Sequence, residues 1–181
     1  MRLSFLLLSA LLMTSTAFSQ KKSADKILSE AYQQAAKENK KVFIIFHASW
    51  CGWCKKLDAS MNDAACKPLF NKHYITVHLT VNESAGKKNL ETPGADIYLK
   101  KYMGDQAGLP FFVIVNEQGT TLGDSYSRNK GEKLDQPGEN IGCPATATEV
   151  AAFCNLLKST STLTSTELTI IEKRFRKNEQ K

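Results

Sequence analysis

The order of elements along this chain predicts an α/β fold, a central mixed sheet of about four strands flanked by helices, with an extra helix at the C-terminal end. Three observations predict it. Apolar runs of strand length, KVFIIF (41–46), ITVHLTV (75–81) and FFVIV (111–115), are separated by segments with helical periodicity. After Lys41 the first run is β-branched and aromatic, the composition of a strand buried on both faces. A short turn around Glu117-Gln118-Gly119 folds the third run back onto a weaker strand ending near Tyr126. That hairpin makes the sheet mixed.

Residues 23–40 carry Ile27, Leu28, Ala31, Tyr32, Ala35 and Ala36 at helical spacing, with Ser23 placed as N-cap. After the first strand, CKKLDASMND reads as helix, and a shorter one over 64–73 leads into the second strand. Residues 82–94 are polar with Gly and Pro, a loop or excursion. Helical spacing returns through Ile97, Leu99 and Tyr102 before the third strand. Residues 127–146 read as a surface loop. The helix over 147–158 turns Val150, Ala151, Phe153, Cys154 and Leu157 inward. The last helix starts at a capping box, Thr164 with Glu167, with Leu163 and Leu168 spaced as a hydrophobic staple. Its apolar face is Leu168, Ile171 and Phe175.

The chain of 181 residues opens with Arg2, an apolar block from Phe5 to about Met13, and small residues at Ala17 and Ser19. This is the layout of a secretory signal peptide over 1–19, its apolar block short of the ~20 residues that span a bilayer. The expectation is an exported protein, periplasmic or secreted. The mature domain is 20–181, with a core over about 42–158 and the C-terminal helix over about 164–176. Formal net charge is +6, and loss of Arg2 leaves 23 basic against 18 acidic residues. The lysines are scattered apart from the tail KRFRK (173–177), a solvated basic surface that gives nucleic acid little footing.

The chemistry-bearing stretch is FHASWCGWCKKLD (46–58), where Cys51 and Cys54 sit between strand and helix. A helix N-terminus presents unpaired N–H groups and partial positive charge, which favour thiolate over thiol. Such sites lower a cysteine pKa from ~8.5 to between about 3.5 and 7.5. Cys51 is expected to be the more exposed sulfur, Cys54 one turn further in. A zinc site would want two more ligands, and Cys143 and Cys154 are eleven apart with no ribbon-type spacing. Haem attachment needs a His after the second Cys, where Lys55 stands. A purely structural disulfide would constrain little of the unfolded chain across so short a gap.

WCGWCKK at 50–56 and Gly108-Leu109-Pro110 opening a later apolar strand resemble the thioredoxin superfamily, in particular exported bacterial thioredoxin-like proteins reading WC-G-x-C. The resemblance covers about Val42 to Leu157 as an order of elements. It implies a thiol–disulfide oxidoreductase that needs no bound cofactor. Cys51 would be the nucleophile and Cys54 the resolving thiol of a redox-active disulfide. Trp50, Leu109 and Pro110 would meet substrate, Pro110 as a cis-proline and Leu109 through its backbone. Partners would be proteins with thiols or disulfides, and a membrane redox partner. Many relatives carry an acid where Ile45 stands, and Gly-Pro where Gly52-Trp53 stands, so the potential stays open across about −270 to −120 mV. The alternative is a non-catalytic binding module holding a lasting disulfide.

Other candidates are secondary. His47 either favours a thiolate at Cys51 or is a partly exposed strand-end histidine. Lys55 and Lys56 either add positive potential beside the pair or, the preferred reading, face solvent, while His73 and His78 have no partner evident in sequence. Cys66 reads as a buried small hydrophobe. Cys143 and Cys154 either pair, pinning the 127–146 loop to the following helix, or remain free thiols.

Overall fold

The computed structural model describes residues 21–128 and 132–179, so the expected signal peptide at 1–19 lies outside the described residues. The elements run α1 (Ala24–Glu38), β1 (Lys41–His47), α2 (Gly52–Met61), α3 (Lys67–His73), β2 (Tyr74–Thr80), a 3-10 segment (Ala85–Leu90) and α4 (Ala95–Lys101). They continue with β3 (Phe111–Val115), β4 (Thr121–Asp124), β5 (Tyr126–Ser127), β6 (Glu139–Asn140), α5 (Ala147–Thr160), α6 (Ser165–Phe175) and a final 3-10 turn (Arg176–Asn178). The main sheet has four strands in the order β2-β1-β3-β4, and β5 pairs with β6 separately. β1 runs parallel to β2 and antiparallel to β3, with Ile44 opposite both Val77 and Val113. The expected mixed sheet is present.

β1 is central, and the alternation of side chains sends its residues to two different cores. Phe43 and Ile45 join Phe112 and Ile114 on one face, under Leu57, Phe70, Phe153 and Phe175 from the helices. Val42, Ile44 and Phe46 join Val113 and Val115 on the other, under Leu28, Ala31 and Leu99. With both faces covered, the buried stretch VFIIF (42–46) needs no polar residue. Truncating one of the central rings, such as Phe153→Ala, is expected to cost about 3–5 kcal/mol.

Local chemistry sets the helix ends. Ser23 Oγ accepts from the Lys26 amide at 3.3 Å. Thr164 and Glu167 form the expected capping box, and Thr146 with Glu149 forms a second that pattern reading passed over. α3 starts at Lys67 rather than 64, because Pro68 is tolerated only in a helix's first turn. The inward face expected for α4 is corrected at Ile97, which is 67% exposed while Ala95, Leu99 and Tyr102 are buried. Ala151 of α5 likewise faces solvent.

Residues 127–146 are more than a surface loop. Ile141, Cys143 and Ala145 are buried, and Asn178 donates to Cys143 Sγ at 3.4 Å and to the Pro144 carbonyl at 3.1 Å. Asn178 Oδ1 also accepts from Ser60 Oγ at 3.0 Å, on the buried side of α2. The C-terminal turn thereby ties α2 to the 141–145 segment.

Candidate active site

β1 ends at His47, and the chain turns over Ala48–Cys51, closed by the Cys51 amide on the Ala48 carbonyl at 3.1 Å. Cys51 is the N-cap of α2, its sulfur accepting from the Cys54 amide at 3.0 Å. The two cysteines form a disulfide, with Cα atoms 5.3 Å apart. The expected difference in exposure between them is corrected: Cys51 is 3% exposed and Cys54 2%. The reason is Leu109, whose side chain packs on the cluster formed by Ala48 and the two cysteines. Trp50 and Trp53 flank the pair and are 58% and 47% exposed.

The Leu109–Pro110 peptide bond is cis, and Pro110 is buried. Asn140 braces this loop, its amide donating to the Gly108 carbonyl at 2.7 Å and the Pro110 carbonyl at 3.2 Å. Its Oδ1 accepts from Ser125 Oγ at 2.7 Å and from the Gly142 amide at 3.1 Å. Gly142 sits at φ 51°, and a Cβ there would come 3.4 Å from the Pro110 carbonyl oxygen. A groove of about 440 Å³ opens beside this edge, lined by Trp53, Leu109, Pro110, Asn140, Cys143 and Glu149 among others.

On the opposite flank, Trp50 Nε1 donates to the Asn82 carbonyl at 2.8 Å, and Asn82 takes a positive φ of 52° as the chain leaves β2. Glu83 is 3% exposed and accepts from the Ser49 amide at 2.6 Å and Ser49 Oγ at 2.8 Å. Chiefly the Ser49 amide holds this carboxyl below the usual range.

His47 is half-buried, with Nε2 3.2 Å from Thr80 Oγ1 and its ring 5.3 Å from that of His78. Burial, then the neighbouring His78, lowers its pKa. That is the strand-end histidine, not a cationic partner for Cys51. His78 does have a partner, Asp58 Oδ1 at 2.7 Å, on the helix one turn beyond Cys54. Lys55 and Lys56 are exposed, and Lys56 lies over the Trp53 ring at 4.2 Å. Cys66, Cys143 and Cys154 are free thiols, so of the two readings of Cys143 and Cys154 the unpaired one holds. Burial pushes Cys66 and Cys154 up to about 11 and Cys143 to about 12.

Of the residues singled out in the sequence, Leu109 packs against Cys51 and Cys54, Pro110 follows it across the cis bond, and Trp50 adjoins Cys51. Sequence reasoning missed Glu83, Asn140 and Asn178. For Glu83 a signal existed. Parallel β1 and β2 end on the same side of the sheet, so the residues leaving β2 must pass close to those leaving β1.

The sequence pattern of the thioredoxin-like family matches residues 24–117. The chain belongs to the thioredoxin-like family. Its fold matches that of a disulphide isomerase from Xylella fastidiosa Temecula1 at 21% identity, covering 91% of this chain and 97% of that one, with TM-score 0.50. An oxidoreductase named DsbH aligns at 18% identity over 86% of this chain and 95% of its own, with TM-score 0.45. A thioredoxin from Thermus thermophilus aligns at 18% identity over 57% and 71%, with TM-score 0.42. No curated protein matches the chain. Within this family, the chain carries its disulfide at the N-terminus of α2, packed by Leu109 of the cis Leu109–Pro110 peptide. No described helix is long and apolar enough to cross a membrane.

Proposed function

We propose that the protein is an exported thiol–disulfide oxidoreductase acting on protein substrates through Cys51 and Cys54. The observation that carries this reading is the disulfide at a helix N-terminus with the Leu109–Pro110 edge packed on it. In the reducing direction, the Cys51 thiolate attacks a substrate disulfide, forming a mixed disulfide and releasing one substrate thiolate. Cys54 then attacks Cys51 Sγ, restoring the 51–54 bond and releasing the second substrate thiolate, which takes up the proton Cys54 loses. The oxidising direction is the reverse. Trp50 and Trp53 supply exposed aromatic surface beside the sulfurs, and Leu109 offers its backbone to an extended peptide.

The signal peptide and export belong to this reading, as does a membrane-embedded redox partner that resets the pair. A substrate must move the Leu109 side chain off the disulfide. The burial of both cysteines is the one observation favouring the binding-module reading, in which the disulfide is permanent. Insulin reduction by dithiothreitol tests the choice. Wild type is expected to accelerate it and Cys51→Ser to lose all acceleration. Equal rates with and without the protein would favour the module.

A further inference from the structure

The N-terminus of α2 draws the Cys51 sulfur toward its anionic form. One buried charge near it acts in the opposite sense. Glu83 is 3% exposed, and both its oxygens are engaged by the uncharged donors of Ser49. Its own amide donates to Glu91 Oε1 at 2.9 Å, which fixes the segment that carries it. The charged or titratable groups acting on it are Lys87 on its own segment and His47 at the end of β1. Lys87 is exposed, and burial disfavours the charged form of His47. Beyond His47 lie His78 of β2 and Asp58 of α2. The carboxylate is therefore only weakly compensated.

Ser49 lies in the turn that Cys51 closes, its Cα at most about 7 Å from that of Cys51, so the carboxylate bound to Ser49 stands on the order of 10 Å from the sulfur. At about 10 Å, in a medium between protein and water, an anion shifts a neighbour's pKa by up to roughly one unit. We propose that Glu83 is a positioning residue with an electrostatic role, a counterweight to the α2 N-terminus that brings the Cys51 thiol back toward neutrality and biases the 51–54 couple toward its disulfide. The reduced pair is then a stronger electron donor than the helix alone would leave it. An attacking thiol is most effective with a pKa near ambient pH, the condition this opposition produces. This inference rests on the redox reading of the site and adds its direction.

The equilibrium that reports it is the exchange with glutathione. The reduced pair gives two electrons and two protons to glutathione disulfide, forming the Cys51–Cys54 bond and two glutathione thiols. Glu83→Gln keeps an acceptor for the Ser49 amide and a partner for its hydroxyl while removing the charge. The expected result is a fall of about one unit in the Cys51 pKa, read from the alkylation rate of the reduced protein against pH. One unit is about tenfold in the reduced form's ionisation, so the potential at pH 9 should rise by about 30 mV. A folded Glu83→Gln protein with unchanged pKa and potential would overturn the proposal, leaving Glu83 a structural brace. Should that variant fail to fold, the exposed Lys87→Glu carries the test at ~10 mM salt, where the Debye length is about 30 Å. A raised Cys51 pKa is expected there, and no change overturns the proposal. Both readouts use only small thiols. A wild type without insulin turnover whose Glu83→Gln variant still shifts in potential would sink the function and leave this inference standing. Full turnover with no shift would do the reverse.

Discussion

Two polar segments flank the disulfide, and they meet it with different chemistry. Residues 82–91, leaving β2, present a buried carboxylate to the turn before Cys51. Residues 140–145, on the other flank, present neutral groups: the Asn140 amide to the Gly108 and Pro110 carbonyls, with Cys143 tied to Asn178. A charge beside a sulfur changes how easily it ionises, and a neutral amide on a peptide loop fixes where that loop sits. The 82–91 flank should therefore govern potential and acidity, and the 140–145 flank should govern substrate fit.

Asn140→Ala should break this contrast most visibly. It leaves two carbonyls beside the cis-proline without their donor and is expected to destabilise the fold by about 1–3 kcal/mol. It should also raise KM for insulin several-fold, with the 51–54 potential unchanged, as steady-state kinetics and glutathione equilibration would read. A shift in potential of the size expected for Glu83→Gln would erase the distinction between the flanks. Leu109→Ala sharpens it from the substrate side. Uncovering the disulfide should speed its reduction by dithiothreitol several-fold, followed by the change in Trp fluorescence; an unchanged rate would mean that Leu109 is no cover.

The smallest effect concerns carboxylates remote from both flanks. Glu117, held low by a backbone amide and by Lys41, and Glu167, held low by the Thr164 amide and hydroxyl and by Lys72, both sit at about 2. A depressed folded-state pKa contributes stability above the unfolded value of about 4.5 and loses it as pH falls toward 2. Urea midpoints should accordingly decline between those limits. In Glu167→Gln the decline should be shallower, and an identical slope would contradict the assignment.

What was legible in the sequence was whatever a local pattern carries. KVFIIF declares a doubly buried strand because its two faces enter two cores, and the cysteine spacing across a strand–helix junction declares the disulfide. Thr164 and Glu167 declare a helix start because the capping box lies within four residues. The illegible part is held by contacts distant in sequence. Asn140 reaches back to Gly108, Glu83 to Ser49, and Asn178 to Ser60, and none has a period or neighbour that marks it. Ile97 failed for a different reason: helical spacing names a candidate face, but the short α4 turns Leu99 and Ala95 inward and leaves Ile97 outside.

Trapping tests the central claim most directly. A Cys54→Ser variant, reduced and exposed to insulin, retains the attacking sulfur and lacks the resolving one. Peptide mapping should find a covalent adduct at Cys51. No adduct, or one at Cys66, Cys143 or Cys154 in its place, would contradict the account.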